Sequence, residues 1–325
     1  MKKMINSEII QGRVYQHDLV VKIVQDKNSD NFGTEYISGN LEIATDDEGL
    51  NVIPVHFTYV TEETSKGKKN FTFKILKQII DENKLWITVG KDEAQMVKVE
   101  TALALNEFYN SNNELVSAKR NEGGFVSLIK ELPAEEKERN KFEIDMLVTN
   151  FTFVEKDEEK KIDEDYGILK GAIFNFRNEL MPTDFIIKLP AGLKYFEELN
   201  LSNSEPLFTK IRGRIICETK TTVVTEESAF GEAAVKTYTR KTKTWLVESA
   251  SNTPYDFGDE AVLTVEDIKR LSQDREIHLA EIKQRAEDYK MNKVAAKPTT
   301  AGPSDITAAM PSSAATAIKQ GTFNF

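Results

Sequence analysis

The chain has 325 residues, 40% hydrophobic and 30% charged, with a formal net charge of −10. That length suits two domains and a tail rather than one core. The charge excludes a surface coated in positive residues but not a local nucleic-acid groove, and no apolar run approaches the roughly 20 residues of a bilayer span. A single cysteine, Cys217, excludes an internal disulfide. With a polar stretch in place of a signal core after Met1-Lys2-Lys3, it points to a reducing cytoplasm.

An alternating strand over residues 12–24 opens the chain. A Gly-containing β run follows, Tyr36-Ile37-Ser38-Gly39-Asn40-Leu41-Glu42-Ile43, then a hairpin turn at Asp47-Glu48-Gly49 and a strand from Val52 to Phe57. A short helix over 73–80 and an alternating strand over 96–103 complete the series. Residues 97–108 pair as a hairpin with 114–128, and Asn121-Glu122-Gly123-Gly124 carries a further turn signal. A polar, helix-prone segment, 133–140, then acts as a linker.

Beyond it the same script recurs in the same order. A strand over 142–154 leads into Tyr166-Gly167-Ile168-Leu169-Lys170-Gly171-Ala172-Ile173-Phe174, a second strand from Phe185 to Leu189, a helix over 192–199 and a strand over 208–215. The second copy ends in a long hairpin, 211–224 against 235–247, with Gly231 in its tip. Thr264 caps a helix over 265–293 with Glu266 and Asp267 in its first turn. Its apolar stripe of Ile268, Leu271, Ile282, Ala286 and Tyr289 is interrupted by Arg275 and His278. The expected organisation is therefore a first β-barrel over 1–138, a second over 139–258, an amphipathic helix over 264–294, and a disordered Ala/Thr/Ser/Pro tail over 295–325.

No catalytic constellation stands out. His17, His56, His278 and Cys217 have no metal-ligand spacing, and there is no phosphate-binding loop, dinucleotide fingerprint or nucleophile elbow. An enzyme is not expected, nor a cofactor, nor a metal. Aromatic and basic residues interleaved on strands remain, the pattern by which a protein stacks bases and follows phosphates. In the first copy these are Tyr15, Tyr59, Lys66, Lys68, Lys69, Trp86, Tyr109 and Arg120. In the second they are Phe174, Phe176, Arg177, Arg212, Arg214, Tyr238, Arg240, Lys241, Lys243 and Trp245. Phe57, Phe71, Phe73, Phe151 and Phe153 read as core. Phe125 extends the first set. Trp245 shares a face with Lys243 and Val247, a mix that suits either a ligand-facing arm or a core.

A duplicated five-stranded unit with a helix before its fourth strand resembles the OB-fold, a small Greek-key barrel that binds oligonucleotides. The whole chain resembles replication single-stranded DNA-binding proteins, above all the large two-barrel versions carried by bacteriophages. The resemblance implies a mainly β fold with minor α, built as two tandem OB-fold-like barrels. It further implies single-stranded DNA as partner, and room for a homo-oligomer. In that family the tail tip docks replication and repair proteins, a role that would fall here to Phe323 and Phe325 in Gly321-Thr322-Phe323-Asn324-Phe325. The usual acids before the last Phe are missing, and Lys319 stands in their place. A different class of function, a β-rich virion component or adaptor without nucleic-acid binding, fits the acidic charge, the helix and the aromatic tail equally well.

Overall fold

The first strand breaks where alternation alone would carry it on. In the computed structural model, β1 spans Asn6–His17 and β2 spans Val20–Ile23. Asp18 leaves the ladder between them, its carboxylate accepting from the backbone N–H and side-chain amide of Asn40 on the next strand. The structure describes residues 3–29, 31–64, 66–160, 162–202, 205–226, 230, 234–255 and 263–295, with the backbone alone at 219–226, 234–241 and 292–295. The expected tail with Phe323 and Phe325, the tip residue Gly231 and the side chains of Tyr238, Arg240 and Lys241 lie outside the described residues.

The chain continues through β3 (Glu35–Ala44), β4 (Val52–Thr61), α1 (Phe71–Glu82), α2 (Trp86–Val89), β5 (Met96–Tyr109) and β6 (Leu115–Leu128). β1 pairs antiparallel with β3 and β5, β3 with β4, and β5 with β6. β4 meets β6 in parallel, Val55 against Asn121, and closes the ring. A second series repeats this circuit: β7 (Asn140–Val154), β8 (Tyr166–Phe174), β9 (Leu180–Ile187), α3 (Pro190–Glu198), β10 (Leu207–Glu226) and β11 (Ala234–Ala250). Here β7 pairs with β8 and β10, β8 with β9, β10 with β11, and β9 with β11 in parallel. A closed five-stranded Greek-key barrel of this connectivity is the OB-fold, so the fold is mainly β with two such barrels. They are fused edge to edge where β1 pairs with β7, Asn6 against Ile144 and Ile10 against Asn140, within one sheet.

Each helix forms where its sequence starts and stops it. Asn70 Oδ1 caps α1 by accepting from the Thr72 N–H at 3.1 Å, and Asn83 ends it in the left-handed region. Pro190 opens α3 at a position whose N–H would have no partner. The apolar faces, Phe73, Leu76 and Ile79 in α1 and Leu193 and Phe196 in α3, enter the main core. The segment expected to be a helix-prone linker forms only a 3-10 turn, Glu136–Glu138. Its last residues are tied to the barrels instead: Arg139 donates to both carboxylate oxygens of Asp47, and Asn140 Oδ1 accepts from the Ile215 N–H at 3.0 Å.

The last helix, α4 (Val265–Ala295), starts with a reciprocal cap between Thr264 and Asp267. Ile268 and Leu271, with Leu263 before them, join a second core with Phe174, Leu180 and Phe208. Arg275 does not interrupt this packing, as the apolar stripe suggested. It reaches Glu107 on β5, one N–H group donating at 2.6 Å, and so tethers α4 to the first barrel. Past this pair the helix stands mostly exposed, Ile277, Tyr289 and Met291 included. No helix among the described residues is long and apolar enough to cross a membrane.

Candidate nucleic-acid interface

The outer face of β3 and β4 is a polar, hydrogen-bonded surface that becomes aromatic at one end. His56 Nδ1 lies 3.0 Å from Asn40 Oδ1, and burial, then the nearby Arg120, hold its imidazole below the usual range. Thr58 donates to Glu122 at 2.6 Å, and Glu122 pairs with Arg120 at 2.9 Å. Toward the end of β4, Tyr59 lies against Tyr36 with ring centroids 4.7 Å apart, and Tyr59 keeps 46% of its surface exposed.

The loop that follows folds back on itself. Thr64 N–H donates to the Lys68 carbonyl at 2.7 Å, Asn70 N–H to the Glu62 carbonyl at 2.7 Å, and Gly67 turns with φ +66°. This fold exposes Lys66, Lys68 and Lys69, and among the described residues none of the three pairs with a carboxylate. Free cations beside exposed rings are the elements single-strand binding needs.

Two further aromatics raised by the sequence reading are exposed at the same end. Phe71, read there as core, is the first residue of α1 and 57% exposed; Phe125 on β6 is 72% exposed. Phe57 and Phe73 are core as expected, Phe151 packs on Phe196, and Phe153 is exposed. The signal for Phe125 was the Gly123-Gly124 pair before it. That pair is not a turn but part of a β-bulge inside β6.

The remaining candidates scatter. Tyr15 and Trp86 are half-buried, 6.1 Å apart, over Gly49. The cations near them, Arg13, Lys91 and Arg139, converge on Asp47, whose hydrogen bonds from Arg139 hold its carboxyl down to about 2. Tyr109 ends β5 at the opposite hairpin. Arg212 and Lys210 pair with Glu143 at 2.7 and 2.9 Å, and Arg214 with Glu248 at 2.7 Å. In the β8–β9 turn Phe176 is exposed, with the Arg177 guanidinium 5.2 Å from its ring centre. On the β10–β11 hairpin the register sets Arg240 across from Lys220 and Tyr238 across from Thr222.

Two candidates are corrected outright. Phe174 is fully buried, edge-on to Phe208 in the second core, and presents no face to a base. Trp245 is 1% exposed. Its Nε1–H donates to Glu8 Oε1 at 2.7 Å, while Glu8 Oε2 accepts from Thr101 at 2.7 Å and Asn121 at 2.8 Å. Lys243 donates to Asn121 Oδ1 at 3.0 Å and lies 5.2 Å from the Trp245 ring centre; burial lowers its ammonium to about 8. Burial likewise raises Glu8, against the hydrogen bonds it accepts. Lys243 and Trp245 thus face the first barrel rather than solvent, and Val247 is buried in the main core.

No curated protein matches the chain. Among solved structures, a deletion mutant of the single-stranded DNA-binding protein from Thermus aquaticus aligns at 11% identity over 80% of this chain and all of its own, with a TM-score of 0.44. The wild-type form of that protein aligns at 11% identity over 78% of this chain and 95% of its own, with a TM-score of 0.42. A family model, YorF, matches residues 10–285, barrels and the packed start of α4 together, and the chain belongs to the YorF family.

Proposed function

We propose that the chain binds single-stranded nucleic acid, DNA in particular, without sequence preference and without catalysis, and coats exposed strands in replication or recombination. The observation that carries this reading is the Tyr36–Tyr59 ring pair on the outer face of an OB barrel, beside a loop whose three exposed lysines meet no carboxylate among the described residues. Rings of this kind stack bases of any sequence, and the lysines release counterions from phosphates. A second barrel in the same sheet would raise the effective concentration of contacts along one strand. The resemblance to bacteriophage two-barrel proteins supplies the finer parts of the proposal: docking of replication or recombination partners by the Phe323-Asn324-Phe325 end, and assembly into a homo-oligomer.

The test is a titration of the full chain with labelled oligo-dT and with duplex DNA. If three phosphates are neutralised, affinity for the single strand should fall about 20-fold between about 50 and about 200 mM salt. Duplex should bind more weakly. No binding, or binding indifferent to salt, would remove the electrostatic basis of the proposal and favour a protein-interaction role.

A further inference from the structure

The bulge in β6 places an aromatic ring in solvent where a regular strand would not. Val99 pairs with Val126 and Thr101 with Gly123, so Gly124 and Phe125 together face the single residue Glu100. Bulges of this type re-aim a side chain. The two glycines make the arrangement possible. A Cβ on Gly123 would meet the Phe57 ring at 2.3 Å, and one on Gly124 would meet the Glu100 carbonyl oxygen at 2.9 Å. Phe125, the ring that results, is 72% exposed, whereas Phe57 and Val126 beside it are buried.

Phe125 does not stand alone. Thr72 Oγ1 donates to the Gly124 carbonyl at 3.2 Å, which holds the start of α1, and with it Phe71, against the bulge. β4 and β6 run parallel, His56 against Glu122, so the C-terminal ends that carry Tyr59 and Phe125 lie at one end of the barrel. The lysine loop joins the end of β4 to α1, between Tyr59 and Phe71. Large rings exposed singly need no explanation, but several gathered beside unpaired cations at one end mark a binding surface.

We infer that Phe71 and Phe125 are base-stacking positions that carry a single strand past the Tyr36–Tyr59 pair and around this end of the first barrel, with the loop lysines following its phosphates. This rests on the reading that the chain binds single-stranded nucleic acid. It adds a defined stacking role for these two residues and a direction of travel to that reading. Stacking is sequence-tolerant and electrically neutral, so the two contributions separate by experiment.

The experiment compares the full chain with F71A, F125A and F125W in oligo-dT titrations over a range of salt. Both alanine variants remove an exposed ring and should keep the wild-type thermal midpoint. Each should lower affinity about tenfold, within the range for loss of one stacked base, and leave the slope of affinity against salt unchanged. F125W should retain wild-type affinity, and its added indole should be quenched by oligo-dT. Wild-type affinity in both alanine variants would overturn the inference and leave the proposed function standing. A loss accompanied by a flatter salt slope would make the patch a phosphate contact and overturn the stacking role. Failure of the unaltered chain to bind would sink both.

Discussion

Aromatic rings and lysines meet at two places in this molecule with opposite outcomes. At the end of the first barrel, Tyr36 and Tyr59 lie beside Lys66, Lys68 and Lys69, and rings and cations alike reach solvent. Between the barrels, Trp245 lies within 5.3 Å of both Lys243 and Lys119, yet the ring is buried. Each Lys there has a partner, Lys119 with Asp184 at 2.6 Å and Lys243 with Asn121. The residue types are the same; what differs is whether an acid or an amide stands opposite. Buried polar groups must be paired, whereas exposed cations need not be. A cation left unpaired on the surface is therefore more informative about ligands than one found beside an aromatic ring.

The largest effect should come from the buried side of this comparison. Replacing Glu8 by Ala would strand the Trp245 indole N–H, Thr101 and Asn121, and would leave Lys243 as a buried cation without its nearest anion. Removing one partner from such a network costs about 3–5 kcal/mol. Denaturant unfolding of E8A followed by tryptophan fluorescence should show that loss. A cost below about 1 kcal/mol would mean that the network is not what joins the barrels.

The same network should leave a mark on the pH dependence of stability. The folded-state ammonium of Lys243 is lowered to about 8 from its usual 10.5. Between those values the unfolded chain holds the proton and the folded chain does not, so stability rises with pH across that window. Below about 8 the full penalty of the buried charge is present. Glu8, raised by burial, works the other way, but only from its usual 4.5 upward to its folded value. Lys77, Lys137 and Lys210, raised by their carboxylate partners, change protonation only above 10.5, beyond this interval. Tyr255, raised by burial, begins to act only at its usual 10.0, so urea midpoints measured between about 8 and 10.0 should climb for the wild type and stay level for K243M. Equal slopes in the two would assign the effect to another group.

The repeated five-strand script was legible because period-two alternation and turn residues are local properties, and so was the last helix with its cap at Thr264. Closure of each ring was not. It depends on the parallel contacts of β4 with β6 and β9 with β11, which join residues far apart in sequence. The site was legible in part for the same reason. Lys66, Lys68 and Lys69 lie in a loop whose sequence already marks it as exposed. The fate of Trp245 was decided by Glu8, 237 positions away. Phe71 reads as core in the sequence because an aromatic at the head of an amphipathic helix looks like core. Here the inward face begins one residue later, at Thr72 and Phe73.

The smallest effects separate free cations from paired ones on the open side. Among the described residues Lys68 makes no ion pair, so K68A should remove about one phosphate contact and flatten the single-strand salt slope by about 0.7. Affinity at low salt should drop only a few-fold. Arg212 already holds Glu143 at 2.7 Å, and that carboxylate also takes Lys210. A phosphate would have to compete with both bonds, so R212A should leave slope and affinity near the wild type. If R212A flattened the slope while K68A did not, the strand would run across β10 rather than past the β4–α1 loop. The charges that matter would then be those already paired in the free protein, exchanging Glu143 for phosphate on binding.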